Sequence, residues 1–200
     1  LPEVAEIAHA HGVPVIVDSR PGGDGVIGVR EVASARPDGY TLLFALGSQI
    51  AINPALFVSP PYDPQRDLVP VSLVARQPLL VAAHPALPVA SLRELVEYTR
   101  AHPGTVNYSA ATSTFMLAAE SIKHRTGADM QHIPYSGGAP ALNALVAGTV
   151  QVSVIAGTTA IPQAMAGKLR ARPLTCSSRL SQLPDVPTFS EVGIVEDVPV

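Results

Sequence analysis

The residues of this chain that could do chemistry gather in short, uncharged runs rather than around paired acids, bases or thiols. Asn107-Tyr108-Ser109-Ala110-Ala111-Thr112-Ser113-Thr114 carries several hydroxyls and no charge, and it leads from an expected strand into an expected helix. The free N–H groups and dipole of a helix start suit a carboxylate. Capping by Ser113 or Thr114 explains one hydroxyl but not the cluster. Ile133-Pro134-Tyr135-Ser136-Gly137-Gly138-Ala139-Pro140, Gly157-Thr158-Thr159 and Gly47-Ser48-Gln49 are junctions of the same kind. Any one alone reads as a turn; their repetition points to a small anion held at strand-to-helix junctions.

Other chemistries find less support. Gly23-Asp24-Gly25-Val26-Ile27-Gly28 has the glycine spacing of a dinucleotide fingerprint. However, residues 18–22 separate it from the strand expected before it, and no acid follows the second strand. A glycine turn shaped for backbone reasons is the plainer reading. There is no G-x-S-x-G elbow, and Cys176 reads as an inert small residue. His9 and His11 diverge on a helix, and the other four histidines lack zinc-ligand spacing. No catalytic residue, metal or cofactor is expected.

These junctions need a framework of alternating elements. Apolar spacing predicts helices over 1–10, 26–35 and 50–57, and strands over 13–17, 40–46, 69–74 and 79–83. Residues 59–67 read as a Pro-rich loop. Ser91-Leu92-Arg93-Glu94 is a capping box that opens a helix ending at Pro103-Gly104. Strands over 106–109, 130–133, 150–155 and 170–175 then alternate with helices over 115–126, 139–146 and 159–166. A second capping box, Thr188-Phe189-Ser190-Glu191, starts a last helix. Such alternation predicts an α/β fold with mostly parallel sheets flanked by helices, and ligands beyond the carboxyl ends of the strands.

Composition agrees. With 47% hydrophobic residues, the 200-residue chain can bury a core without metals or disulfides, and its single cysteine excludes a disulfide framework. A net charge of -3 and 4% aromatic residues leave neither a basic surface nor stacking platforms for nucleic acid. The 20 prolines, about twice the usual share, fit short and firmly stopped elements. No apolar run reaches the roughly 20 residues of a membrane span. The chain opens on Leu1 with no basic or apolar leader segment, which leads us to expect a removed targeting segment or a fragment.

The motifs also resemble a known family. Ser19-Arg20-Pro21-Gly22-Gly23-Asp24-Gly25 followed by Arg36-Pro37-Asp38-Gly39-Tyr40-Thr41-Leu42-Leu43 is similar to the signature of the tripartite tricarboxylate transporter receptors, the Bug proteins. Ala51-Ile52-Asn53-Pro54, Pro61-Tyr62-Asp63-Pro64, Gly138-Ala139-Pro140-Ala141-Leu142 and Leu183-Pro184-Asp185-Val186-Pro187-Thr188 follow in the family's order. The resemblance implies a two-lobed periplasmic binding protein of type II, with lobe 1 formed by 1–78 and 174–200 and lobe 2 by 79–173. It implies that the first strand, the closing elements and the signal peptide lie outside this chain. It implies a monomeric periplasmic receptor that captures a small carboxylate between its lobes and hands it to membrane permease subunits, with no reaction and no cofactor. Carried over by position, Gly47 and Ser48 face the cleft from lobe 1, and Ser109, Thr112, Ser113 and Tyr135 from lobe 2; Thr158 joins them from its own junction. Two ligand loops depart from the pattern: Ser109–Thr114 and the segment after Val152 are shorter, the first without glycine and the second without acids. A Rossmann-like cofactor-binding enzyme and a non-binding remnant of the receptor family remain the other readings.

Overall fold

The computed structural model describes residues 2–174 and 179–192. The first part of the chain is helical pieces joined by irregular segments. Helix α1 spans Pro2–Ala10, and a 3-10 turn at Gly23–Gly25 leads into α2, Val26–Ala33. A π-type turn, Ser48–Ile52, runs straight into α3, Asn53–Leu56. Helix α4 is a single turn, Pro64–Asp67, inside the expected loop. Its signal is the Asp63-Pro64 pair: Asp63 accepts from the N–H groups of Gln65 (3.0 Å) and Arg66 (3.4 Å), and proline fills the first helical position.

From Leu79 onward strands and helices alternate as expected. The order is β1 (Leu79–Ala83), α5 (Leu92–Ala101), β2 (Asn107–Ala110), α6 (Ser113–Thr126), β3 (Gln131–Pro134), α7 (Gly138–Val146), β4 (Val152–Ala156), α8 (Gly157–Met165) and β5 (Arg170–Leu174). They build one sheet in the order β3-β2-β4-β1-β5. Strand β2 pairs in parallel with β3 and β4, while β1 runs antiparallel to both β4 and β5. The sheet is therefore mixed rather than mostly parallel. Leu79-Leu80-Val81-Ala82-Ala83 is buried throughout, and a strand covered on both faces reads as a continuous apolar run whichever way it points.

Strand periodicity sorts the core into two layers. Leu79, Val81 and Ala83 of β1, with Val152 and Val154 of β4, face Leu92, Leu95 and Val96 of α5 and Ala118, Ala119 and Ile122 of α6. Leu80 and Ala82, with Ile155, face Leu145 of α7 and Ala160 of α8. Ser91 caps α5 by accepting from the Glu94 N–H at 3.1 Å, as the capping box predicts. Gly127 closes α6 at φ +68°, where the guanidinium of Arg100 would lie 2.9 Å from any added Cβ.

The strands expected over 13–17, 40–46 and 69–74 form no ladder among the described residues, so no sheet is described for the expected first lobe. Their large apolar side chains are open to solvent, with Ile16 92% and Tyr40 93% exposed. Alternation can propose a strand, but only a neighbour's N–H and C=O groups make one. The second capping box forms: Thr188 Oγ1 accepts from the Glu191 N–H at 3.3 Å, and the Glu191 carboxylate accepts from the Thr188 N–H at 2.7 Å. Residues 189–192 form turns, the rest of the stretch where a last helix is expected lies outside the described residues, and Cys176 lies outside them too.

One polar group is built into the larger layer. The Tyr108 hydroxyl, on a fully buried ring, donates to Glu120 Oε1 at 2.6 Å, and Lys123 Nζ donates to the same oxygen at 2.7 Å. The His132 ring stacks on Tyr108 with centroids 5.0 Å apart. Burial pushes the Glu120 carboxyl up, but the hydrogen bonds from Lys123 and Tyr108 outweigh it and hold the group below its ordinary value. Burial, then Glu120 itself, raises the Tyr108 phenol.

Two outcomes are expected of this framework. Leu145→Ala, at a fully buried position, should lower stability by about 2–5 kcal/mol in urea unfolding. Because the folded pKa of Glu120 is lowered, its contribution is complete above the ordinary carboxylate pKa of about 4.3 and lost as pH falls through the folded value. Urea midpoints taken from about pH 6 to about pH 3 should therefore fall less steeply in Glu120→Gln than in the unaltered chain.

Candidate functional site

Strands β2, β3 and β4 are parallel and each hands directly to a helix, so α6, α7 and α8 all begin along one edge of the sheet. At the first of these starts, Thr112 caps α6 by accepting from the Phe115 N–H at 3.4 Å. Neither α7, after Gly137, nor α8, after Ala156, has a side-chain cap, although the first N–H of α8, that of Gly157, donates to the Pro78 carbonyl at 2.8 Å.

The start of α6 is met by the first part of the chain. The N–H of Ser113 donates to Asp24 Oδ2 at 3.0 Å. The Ser113 hydroxyl donates to Asn53 Oδ1 at 2.6 Å, and Asn53 Nδ2 donates to the backbone oxygen of Asp24 at 3.0 Å. Three residues 89 and 60 positions apart thus close a ring of hydrogen bonds. Asn53 is 1% exposed and uses both ends of its amide, as a buried amide must.

Local backbone places each member. Asp24 sits at φ +51°, the one non-glycine residue at positive φ among the described residues, between Gly23 and Gly25. A Cβ on Gly25 would run into the Gln49 side chain, so the turn approaches the π-type turn more closely than any other residue allows. Tyr62, 5% exposed, donates its hydroxyl to the Gln49 carbonyl at 2.5 Å. Its burial raises the phenol pKa, which the Asn53 amide lowers and the Asp24 charge raises further. Ser48 begins the π-type turn and is fully buried, and its hydroxyl has no hydrogen-bond partner. That turn packs on both α6 and the Gly23–Gly25 turn.

The expected site residues have separate fates. Ser48 and Ser113 lie on elements that touch, with Gly47 exposed at the same turn. Thr112 is half-buried and caps its helix. Tyr135, just past β3, is half-buried against the layer under α7 and α8. Thr158 is exposed at the start of α8, where its hydroxyl accepts from Gln77 Nε2 at 2.6 Å. Ser109 lies inside the sheet instead of facing a cleft: it is fully buried and donates to Ser153 Oγ at 2.9 Å, its register partner on β4. A hydroxyl on an interior strand residue meets the neighbouring strand before it meets solvent. Asp24, Asn53 and Tyr62 are the members that spacing did not single out. Asp24 was hidden in a glycine turn and Asn53 in a short helix, with their partner far along the chain.

Among the described residues no three His, Cys, Asp or Glu side chains are placed to hold a metal ion, and no helix is long and apolar enough to cross a membrane.

The chain matches the tripartite tricarboxylate transporter family receptor over residues 4–200. It is 38% identical to the protein BugT of Bordetella pertussis over 190 residues, covering 94% of this chain and 58% of that protein. Among solved structures it resembles a Rhodopseudomonas palustris protein, Rpa4515, solved with adipate, at TM-score 0.92 and 31% identity over 98% of this chain and 66% of that one. It also resembles MatC of the same organism with bound malate, at TM-score 0.85 and 33% identity over 95% of this chain and 65% of that one. A structure of the periplasmic binding protein BugD superposes at TM-score 0.89 with 30% identity, over 100% of this chain and 67% of that one. The chain thus spans just over half the length of BugT and about two thirds of these structures. The fold is that of the two-lobed type II periplasmic binding proteins, and the chain belongs to the tripartite tricarboxylate transporter receptor family.

Proposed function

We propose that this chain is the capturing part of a periplasmic receptor that holds a small carboxylate and passes it to membrane permease subunits. One observation carries the reading. Three helices start along a single sheet edge, two without side-chain caps, and the third already holds a carboxylate oxygen, that of Asp24, at 3.0 Å from a backbone N–H. The edge therefore has the donors and the dipoles that an anionic ligand requires. Gly47, Thr112, Ser113, Tyr135 and Thr158 supply its uncharged rim, with Ser48, Asn53 and Tyr62 buried behind it. Binding of adipate and malate by structural relatives supports the same chemistry. Residues 1–78 belong to the first lobe and 79–174 to the second, on whose core layers Leu180, Val186 and Phe189 also pack, with ligand between the lobes and capture by their closure. The receptor works as a monomer, catalyses no reaction and needs no cofactor.

The test is thermal shift followed by calorimetry on the chain, against succinate, malate, adipate, 4-aminobutyrate and 6-aminohexanoate, with NAD and FAD as controls. At least one acid should raise the melting temperature, since a ligand at about 100 times its Kd adds about 2.7 kcal/mol to the folded state. Stabilisation by NAD or FAD and by none of the acids would overturn the receptor reading in favour of a cofactor-binding enzyme. Asn53→Ala leaves the Ser113 hydroxyl and the Asp24 carbonyl without partners, and should cost about 1–3 kcal/mol in urea unfolding and weaken binding of any acid that the unaltered chain holds.

A further inference from the structure

The Asp24 carboxylate occupies the very donor that a ligand's carboxylate would seek at α6. Its oxygen accepts from the Ser113 N–H at 3.0 Å, and Asn53 Nδ2 pins the Asp24 backbone carbonyl at 3.0 Å. The residue is held there at φ +51°, a conformation that costs energy for any residue but glycine and persists only where its surroundings impose it. A second observation marks the same place as a ligand's surroundings. The hydroxyl of Ser48 is completely buried with no partner, on the turn that packs against both α6 and the Asp24 turn. A buried hydroxyl left without a bond is costly, and a ligand group placed between these elements would satisfy it.

We propose that Asp24 is a specificity-determining residue, which reserves this end of the site for the uncharged or cationic donor end of a ligand and turns away a second carboxylate. The inference rests on the receptor reading above. The ligand's one carboxylate goes to the uncapped start of α7 and to the first-turn N–H groups of α8 beyond Gly157, whose own N–H is taken by the Pro78 carbonyl. Its other end, an ammonium or a hydroxyl, meets the second oxygen of Asp24 and the Ser48 hydroxyl. A dicarboxylate of the same length would place like charge beside Asp24 in a partly enclosed site, or would have to expel Asp24 from Ser113; either weakens its binding.

The experiment compares length-matched pairs, succinate with 4-aminobutyrate and adipate with 6-aminohexanoate, by calorimetry on the chain, on Asp24→Asn and on Asp24→Gly. Asparagine tolerates the same positive φ and its side-chain oxygen still accepts from Ser113, so only the charge is removed. Glycine vacates the donor altogether. The unaltered chain should bind the amino acid of a pair tighter than the dicarboxylate by on the order of tenfold or more. Asp24→Asn should reverse or erase that preference chiefly by tightening the dicarboxylate, and Asp24→Gly should do so further. Melting curves of both variants establish that they fold. If the unaltered chain prefers the dicarboxylate, or if the ratio is the same in all three folded proteins, Asp24 is not the determinant while the receptor reading stands. If no acid binds any of the three, the receptor reading fails and this inference falls with it.

Discussion

The parallel run of β2, β3 and β4 decides where this molecule gathers its helix starts. Strands that point the same way must each be followed by a helix that returns over a face of the sheet, and the three returns begin at one edge. Unpaired N–H groups therefore collect there whatever the side chains are. The side chains only modulate this field: Thr112 satisfies part of it, Asp24 fills part of it, and the starts of α7 and α8 are left uncapped. The antiparallel β1 supports the arrangement from inside the sheet, between β4 and β5. With both faces buried, its alternate residues enter both layers and hold α5 and α6 on one side against α7 and α8 on the other.

The first part of the chain is organised differently. Three of its apolar segments pair with nothing among the described residues; Val29 and Ile52 are buried, but the bonds that tie it to α6 are polar. Asn53, Tyr62 and Ser48 are buried on or beside the π-type turn, and Asn53 and Asp24 carry the hydrogen bonds to α6. Direction and pairing matter more in such an anchor than apolar area. A hydrogen-bonded ring fixes orientation, whereas apolar burial of the same extent would allow sliding. The close approach at Gly25 brings the Asp24 turn against the Gln49 side chain of the π-type turn, where a Cβ would collide.

Much of the second part was legible from the sequence, because its elements are locally determined. The alternation from 79 to 174, the Ser91 and Thr188 capping boxes and the glycine stop at Gly127 all rest on residues within a few positions of one another. Strand direction was not legible, since a doubly buried strand such as β1 has no polar face to betray its orientation. The strands over 13–17, 40–46 and 69–74 were misread because their residues have strand character while the ladder depends on partners that no local pattern reveals. The site was half legible for a related reason. Ser109 and Ser113 look alike in a hydroxyl-rich run, but register on β4 consumes the first hydroxyl, whereas the second lies past the strand end and meets Asn53. Asp24 could not be assigned at all: its role is set by a contact 89 residues away.

That contact links two properties that would otherwise be independent. The bonds which join the first part of the chain to α6 are the same bonds a ligand would compete for, so occupancy and attachment are coupled. Any molecule that takes the Ser113 N–H from Asp24 loosens the ring, and any molecule that binds beside Asp24 without displacing it leaves the ring intact. By linkage, whatever the ring contributes to holding the two parts together is subtracted from the affinity of the first kind of ligand and not from the second. Under the proposed closure of the lobes, the second kind of ligand is the one favoured. The charge at Asp24, placed at a backbone angle that most residues avoid, would make that choice by geometry before any ligand arrives.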